Sequence, residues 1–435
     1  MFSFIAKHNT HDGDRFSTMK APQSLMPSLH EAKGKRGSAA SSSGVRAQTL
    51  RATNLSLALK NILKNPGSTS RSSIAGTTGT TRATASRLVD ELVSANIVEE
   101  FEPTAEYGRG RPPVFLAPKP LTVLALGLEV SVSYLSARLI DLTGETISEK
   151  MVFDDFADSN PPEVMTRLSK LARQVMPKNL SDAIFVGSGL AIPGIVSKTH
   201  LHIAPNLGWR NLSQAELLAP LAEFNVQVVR NEADLGAYAV AMPKPGVPDG
   251  PASFIYVSGE VGIGGGIIIN HQPLPGTHGW SGEIGHISTD PNGPSCRCGS
   301  NGCLEAYIGQ RSLLERSRLP KTASYEDLLL AAKDAKSPAH QALKEGGLAL
   351  GRALATVINL LDIPTVVIGG SVAKIAPVLK PIALDEMKIR VLQSKWLQPE
   401  IIIADESSQF ATQGAAHMVL QKLVENPLYW THSRL

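Results

Sequence analysis

All three cysteines of this 435-residue chain, Cys296, Cys298 and Cys303, fall inside one window, HISTDPNGPSCRCGSNGCLE, which also carries His286. One imidazole and three thiolates at this spacing make a closed tetrahedral donor set, soft enough to select zinc over magnesium or calcium. With four protein ligands the expected Zn2+ is structural: it orders the loop rather than activating a water. Pro291, Gly293, Pro294, Gly299 and Gly302 let a short chain fold back on a metal and cannot pack as a core. Spare buried thiols or a redox Cys-x-Cys pair are the competing readings, and the clustering of every thiol in the chain favours the metal. Glu283 and Glu305 flank the set. Two carboxylates and an imidazole on a metal-braced loop offer rigid partners to a hydroxyl-rich ligand, and sugars are such ligands.

The elements that must hold this loop form a long chain, expected to fold as two or three domains. Its 43% hydrophobic content suffices for a sizeable core. Formal net charge is +3, so any nucleic-acid signal must be local. No apolar run is long enough for a transmembrane helix, so no membrane insertion is expected. The start, MFSFIAKHNTHDGDRF, lacks the pattern of a secretory signal. Three clustered cysteines make no disulfide framework, which points to a reducing, cytoplasmic setting.

Residues 1–45 read as a disordered tail, too polar to offset the entropy of ordering; Lys33, Lys35 and Arg36 give it an alternative reading as a basic arm on DNA. Residues 46–120 read as a winged helix-turn-helix. Leu50, Leu55, Leu59, Ile62 and Leu63 recur at helical spacing before NPG ends the first helix. TSRSSIAGTT predicts a short second helix and Gly79 a turn. Thr80 or Thr81 caps a third helix that buries Leu88, Leu92 and Val93. That helix offers Arg82, Thr84, Ser86 and Arg87 to a DNA groove, with no bulky side chain to block entry. Two short strands then flank a cationic loop of Tyr107, Gly108, Arg109, Gly110 and Arg111, suited to a minor groove or the phosphate backbone.

From residue 121 the pattern is α/β. LTVLALGLEVSVSYLSARLIDLTGE predicts two strands and a third to follow. AIFVGSGLAIPGIV, VQVVRNEADLGAYAVAM, ASFIYVSGEVGIGGGIIINHQ and PTVVIGGSVA read as apolar strand runs, and residues 325–362 as strongly helical. Glycine or a polar residue ends each run, as in ligand loops of open sheets, and two such systems allow two similar lobes around a cleft.

The window GEIGHISTDPNGPSCRCGSNGCLE resembles the signature of the ROK family, which joins bacterial repressors and sugar kinases. The resemblance extends over residues 46–435 through AIPGIV, APNLGW, NEADLGAYA, GEVGIGGG and NLLDIPTVVIGGSVA. It implies an actin-like, hexokinase-like fold of two α/β lobes in residues 121–435, with a sugar between them against the loop 286–303. Glu283, His286 and Glu305 would then contact sugar hydroxyls, His286 also serving the zinc. Asn206 and Asn231 would add hydrogen bonds, and Glu232 stands where the family's kinases place their catalytic Asp. The segments TGTTRATASRLVDELVSANIV and GRGRP resemble the repressor branch, such as the N-acetylglucosamine and xylose repressors.

Three departures separate this chain from the kinases of that family. The Asp-x-Gly-Gly-Thr phosphate loop is replaced by LEVSVSY, where Ser131 and Val132 crowd the phosphates and Glu129 is the acid. Glu232 replaces the catalytic Asp and sits about one methylene further out, which base geometry tolerates poorly. Glu260 puts negative charge where nucleotide phosphates would lie. Gly262, Gly264, Gly265, Gly266 and the GGSV at 369–372 then serve fold geometry. The expectation is a non-enzymatic, sugar-responsive transcriptional regulator with no catalytic residues. It would be a homodimer or homotetramer on a palindromic operator and would answer to a sugar or sugar phosphate. The alternatives are an ATP-dependent sugar kinase with a DNA-binding appendage, or a regulator controlled by a sugar-transport protein.

Overall fold

The protein was analysed as a computed structural model that describes residues 39–102, 114–179, 183–259, 261–405 and 410–431, with side chains from residue 48 onward. The chain divides into two compact units, Met1–Ala47 and Gln48–Leu435. Of the first, only helical backbone from Ala39 is described; Lys33, Lys35 and Arg36 lie outside the described residues. Helix α1 (Ala39–Lys64) therefore starts ahead of the boundary expected at residue 46. Its Leu55, Leu59 and Ile62 are fully buried, as their spacing predicts, but Leu50 is 62% exposed. Residues 48–51 are exposed, and of them Arg51 is tied by an ion pair at 2.8 Å to Glu91.

Helices α2 (Arg71–Thr78) and α3 (Arg82–Ser94) follow, and each start is set by local chemistry. Ser70 and Ser73 form a reciprocal capping box on α2, and Thr81, not Thr80, accepts the Thr84 amide at the start of α3. Between them Gly79 takes a left-handed conformation at φ 64°, which a side chain would disfavour. Ala85, Leu88, Val89 and Leu92 form the buried stripe of α3. Strands β1 (Val98–Phe101) and β2 (Phe115–Pro118) pair antiparallel. The cationic loop between them, with Arg109 and Arg111, lies outside the described residues.

Two five-stranded sheets then repeat one topology. In the first, β3 (Val123–Val130), β4 (Tyr134–Asp141) and β5 (Thr146–Phe153) form an antiparallel meander. After α4 (Pro161–Val175), β6 (Ile184–Ala191) adds parallel to β3. A small sheet of β7 (Ile195–Val196), β8 (His200–Ala204) and β9 (Trp209–Ser213) and then α5 (Gln214–Leu218) lead to β10 (Val226–Arg230), parallel to β6. Helix α6 (Glu232–Ala241) crosses to the second lobe.

There β11 (Phe254–Gly259), β12 (Ile263–Ile269) and β13 (Gln272–Pro273) repeat the meander. Helices α7 (Glu305–Ile308), α8 (Gln310–Arg316), α9 (Tyr325–Ala331) and α10 (Pro338–Leu361) precede β14 (Thr365–Gly369), which runs parallel to β11. Helix α11 (Ala376–Arg390) leads to β15 (Glu400–Ile403), parallel to β14, and the chain ends in α12 (Phe410–Glu425) and α13 (Pro427–Thr431). The sheet orders β10-β6-β3-β4-β5 and β13-β12-β11-β14-β15 are mirror-ordered copies, as two similar lobes require.

Two expectations are corrected. VQVVRNEADLGAYAVAM is a strand only to Arg230; Asn231 caps α6, whose small residues are buried on nearly all sides. An apolar run of this kind does not distinguish a buried strand from a buried helix by periodicity. The helical stretch 325–362 breaks into α9 and α10 because Ser337 caps and Pro338 starts the second helix.

Three glycines let α12 lie directly on its neighbours. A β-carbon at Gly127 of β3 would strike the Thr412 carbonyl, one at Gly189 of β6 the Ala415 carbonyl, and one at Gly414 the Leu235 carbonyl of α6. At its far end α12 joins the helical N-terminal region: Ser56 Oγ donates to the Val424 carbonyl at 2.7 Å, and Leu55, Leu59, Val419 and Leu423 share one core. Thr431 of α13 donates to Glu91 of α3 at 2.9 Å.

Candidate functional site

The cysteine window folds as a set of nested turns. Thr289 and Leu304 amides reach back to the Gly302 and Ile287 carbonyls, and Cys296 and Gly299 close a tight turn. Gly302, at φ 67°, lies so close to Asp290 that a β-carbon would collide with its carbonyl oxygen. This folding gathers His286, Cys296, Cys298 and Cys303, whose donor atoms all lie within 4.8 Å of one another. Cys298 and Cys303 sulfurs are 3.7 Å apart, and Cys296 Sγ is 3.8 Å from His286 Nδ1. Metal–sulfur bonds of about 2.3 Å and metal–nitrogen bonds of about 2.0 Å in a tetrahedron space such donors about 3.6–3.8 Å apart. The set therefore fits a metal ion. Burial pushes the Cys303 thiol up to about 12, so a bound cation must displace its proton.

Using Nδ1 for the metal leaves the other ring nitrogen of His286 facing Glu283, at 3.9 Å from Oε2. Glu283 and His286 both line a cavity of about 340 Å³ between the lobes. Asn206, Asn231, Glu232 and Glu305 line it too, so all six residues expected to meet a sugar come together. Their commitments differ. Glu305 Oε2 accepts the Ile263 amide at 2.9 Å, which fixes its carboxylate against β12. Asn231 spends its carbonyl on the Ala233 amide and its amide on the Gly194 carbonyl, so it braces the cavity wall first. Burial raises the Glu283 carboxyl, with His286 opposing and Glu305 adding to the rise.

Glu232 is the most perturbed of the six. The residue borders the cavity, yet its Oε2 is closed off from solvent and has no protein partner. Burial, with a smaller push from Glu129, Glu283 and Asp234, lifts its carboxyl to about 8; a backbone hydrogen bond opposes the shift. With its pKa raised to about 8 the carboxyl favours the protonated form at neutral pH, in which it can donate to a ligand hydroxyl, the opposite of what a general base must do.

The end of strand β3 and the turn after it also border the cavity, through Glu129, Ser131 and Val132. Glu129 is 4% exposed and accepts from the Tyr134 hydroxyl at 2.8 Å, and Val132 is buried beside it. Glu260 lies outside the described residues. The glycines of β12 serve packing, as expected: β-carbons at Gly264 and Gly266 would collide with Ala233 and Ala237 of α6. Sequence reasoning missed Arg297, which also lines the cavity. Its position between two metal-set cysteines was the available signal, because a loop wrapped on an ion turns alternate side chains outward.

In the N-terminal region Arg82, Thr84 and Arg87 are exposed on α3 and Ser86 is half-buried. No acidic residue sits in the first turn of α3. Arg71 is tied to Glu100 at 2.8 Å and Asp90 at 2.6 Å, so it braces the helices rather than facing outward.

Among known proteins, the profile described as the ROK family matches residues 125–422. The xylose repressor of Bacillus subtilis is 30% identical over 86% of this chain and 96% of its own length. A glucokinase of Halalkalibacterium halodurans is 27% identical, over 59% of this chain and 83% of its own length. The crystal structure of a ROK family transcriptional regulator, described as a homologue of the E. coli MLC protein, superposes with a TM-score of 0.69 at 23% identity, covering 88% of this chain and 98% of that one.

Proposed function

The chain belongs to the ROK family, and on that footing we propose that it is a sugar-responsive DNA-binding transcriptional repressor of carbohydrate uptake or catabolism genes. The repressor likeness extends over the N-terminal helices as well as the lobes, whereas the glucokinase likeness covers much less of the chain. The observation that carries the sugar reading is the inter-lobe cavity. Its carboxylates, amides and imidazole converge on one space, and the orphaned, protonated Glu232 is poised to donate to a hydroxyl. The same carboxyl group, with Glu129 buried where phosphates would need room, argues against phosphoryl transfer.

Residues 46–120 act as a winged helix-turn-helix. The left-handed Gly79 turn between α2 and α3, the exposed Arg82 and Arg87 and the β1–β2 pair support this assignment. Arg82 at the positive end of the α3 dipole is unfavourable in isolation and becomes favourable with a phosphate between them. Arg109 and Arg111 serve as the wing contacts. The ion of the His/Cys set is a structural Zn2+, supported by the donor chemistry and spacing. A two-fold homodimer, or a homotetramer of such dimers, suits a palindromic operator.

Helix α12 supplies a route between ligand and DNA. Phe410 and Ala411 at its start line the sugar cavity, and its end bonds to Ser56 of α1. A sugar that favours one lobe arrangement biases this helix and hence the spacing of paired DNA-binding regions; linkage then makes DNA oppose the sugar equally. Titrating operator DNA with and without xylose, glucose and their phosphates tests the reading. A shift in operator affinity with one of them is expected. No shift with any sugar would overturn the effector model and leave a sugar-transport protein as the controlling partner.

A further inference from the structure

Beside the sugar cavity lies a second one of about 470 Å³, and the two share Gly194, Asn231 and Glu283 as a common wall. Both lobes build it. The turn through Val196 and Thr199 and the end of β10 at Arg230 come from the first lobe, and the loop Pro275–Ser281 comes from the second. At its side sits Asp234, 7% exposed, which lines this cavity but neither the first one nor the metal set. Burial pushes this carboxyl to about 7, with Arg230 opposing. Asp234 and the Arg230 guanidinium both line this cavity, so a hydroxyl-bearing ligand entering it would find an acceptor and a donor there.

Across the loop, Trp280 is 39% exposed and held in place. Its indole N–H donates to the Val196 carbonyl of the opposite lobe at 3.1 Å. His202 stands edge-on to it at 5.1 Å and is itself fixed by Ser197 at 3.0 Å, and His278 lies 5.0 Å from it in a tilted arrangement. An oriented aromatic ring half-open to solvent, in one cavity with a carboxyl group and a guanidinium, presents an apolar face and hydroxyl partners to the same space. Those are the two surfaces of a pyranose ring.

We propose that this second cavity is a glycosyl subsite and that the effector is a two-ring carbohydrate, with one ring in the first cavity and the next on Trp280, Asp234 and Arg230. The inference rests on the sugar reading of the first cavity and names the class of sugar. Each cavity is of a size that houses a small ligand unit, since binding pockets start at about 300 Å³. Gly194, Asn231 and Glu283 border both cavities, so the two lie side by side.

Calorimetry on the full-length protein with xylose, xylobiose, glucose, cellobiose and maltose tests this. At least one disaccharide is expected to bind about tenfold or more tightly than its own monosaccharide. Trp280→Ala is expected to remove most of that gain while leaving monosaccharide affinity unchanged, and the isosteric Asp234→Asn is expected to reduce the gain by more than it changes monosaccharide affinity. If sugars bind but no disaccharide exceeds its monosaccharide, or if both variants weaken single and double rings alike, the subsite is refuted and the sugar reading stands. If no sugar of either size binds, the sugar reading fails and the subsite falls with it.

Discussion

Glu232→Gln separates a buried, protonated acid from an ionised one. An ordinary glutamate titrates at 4.5, and this one is raised to about 8 by burial. Between those values the folded chain binds a proton that the unfolded chain releases, so wild-type stability falls as pH rises through the window. The difference is absent below pH 4.5. By pH 7 the unfolded state has gained about 3 kcal/mol from ionising this group, and the gain levels off at about 5 kcal/mol above pH 8. These are upper figures, because Glu232 still borders the cavity. Glutamine keeps a hydrogen-bond donor there and has no charge to lose. Urea unfolding of both proteins at pH 5, 7 and 8.5 reads the effect as a difference in which titrations of groups not coupled to Glu232 cancel. The variant is expected to be the more stable by a few kcal/mol at pH 8.5 and by little at pH 5. A difference that does not change with pH, or a wild type that is more stable at high pH, would refute a protonated Glu232 and with it the donor role in sugar binding.

The remaining predictions address the other parts of the argument. Cys298→Ser is expected to lower bound zinc, measured by elemental analysis, and to reduce stability and sugar response together; full metal content would remove the ion site. Gly414→Ala puts a β-carbon onto the Leu235 carbonyl and should cost about 1–3 kcal/mol in a denaturant melt, since backbone cannot yield as a side chain can. Arg82→Ala should weaken operator binding about tenfold and flatten its salt dependence by about one ion, and unchanged affinity by anisotropy would mean that α3 is not the reading helix.

Local spacing made much of this protein legible. The His286–Cys303 set, the Gly79 turn, the Thr81 cap and the strand meander from Val123 follow from residues close in sequence, where geometry is nearly fixed by residue type. The run from Val226 was harder to read, because a helix buried on all sides carries no period to distinguish it from a strand. Leu50 lies in the same helix as Leu55 and Leu59 yet is exposed, because apolar spacing along a helix does not say whether anything covers the face it builds.

The sequence by itself determined the metal-donor set and the cationic start of α3, both matters of residue type at short range, while the candidate sugar-binding groups followed from the family resemblance. Only the tertiary structure decided that burial raises the Glu232 carboxyl, that Gly127, Gly189 and Gly414 seat α12 between cavity and N-terminal helices, and that Asp234 and Trp280 line a common space. Desolvation and close approach depend on what segments far apart in the chain bring to the same place, and no spacing along one strand or helix encodes that.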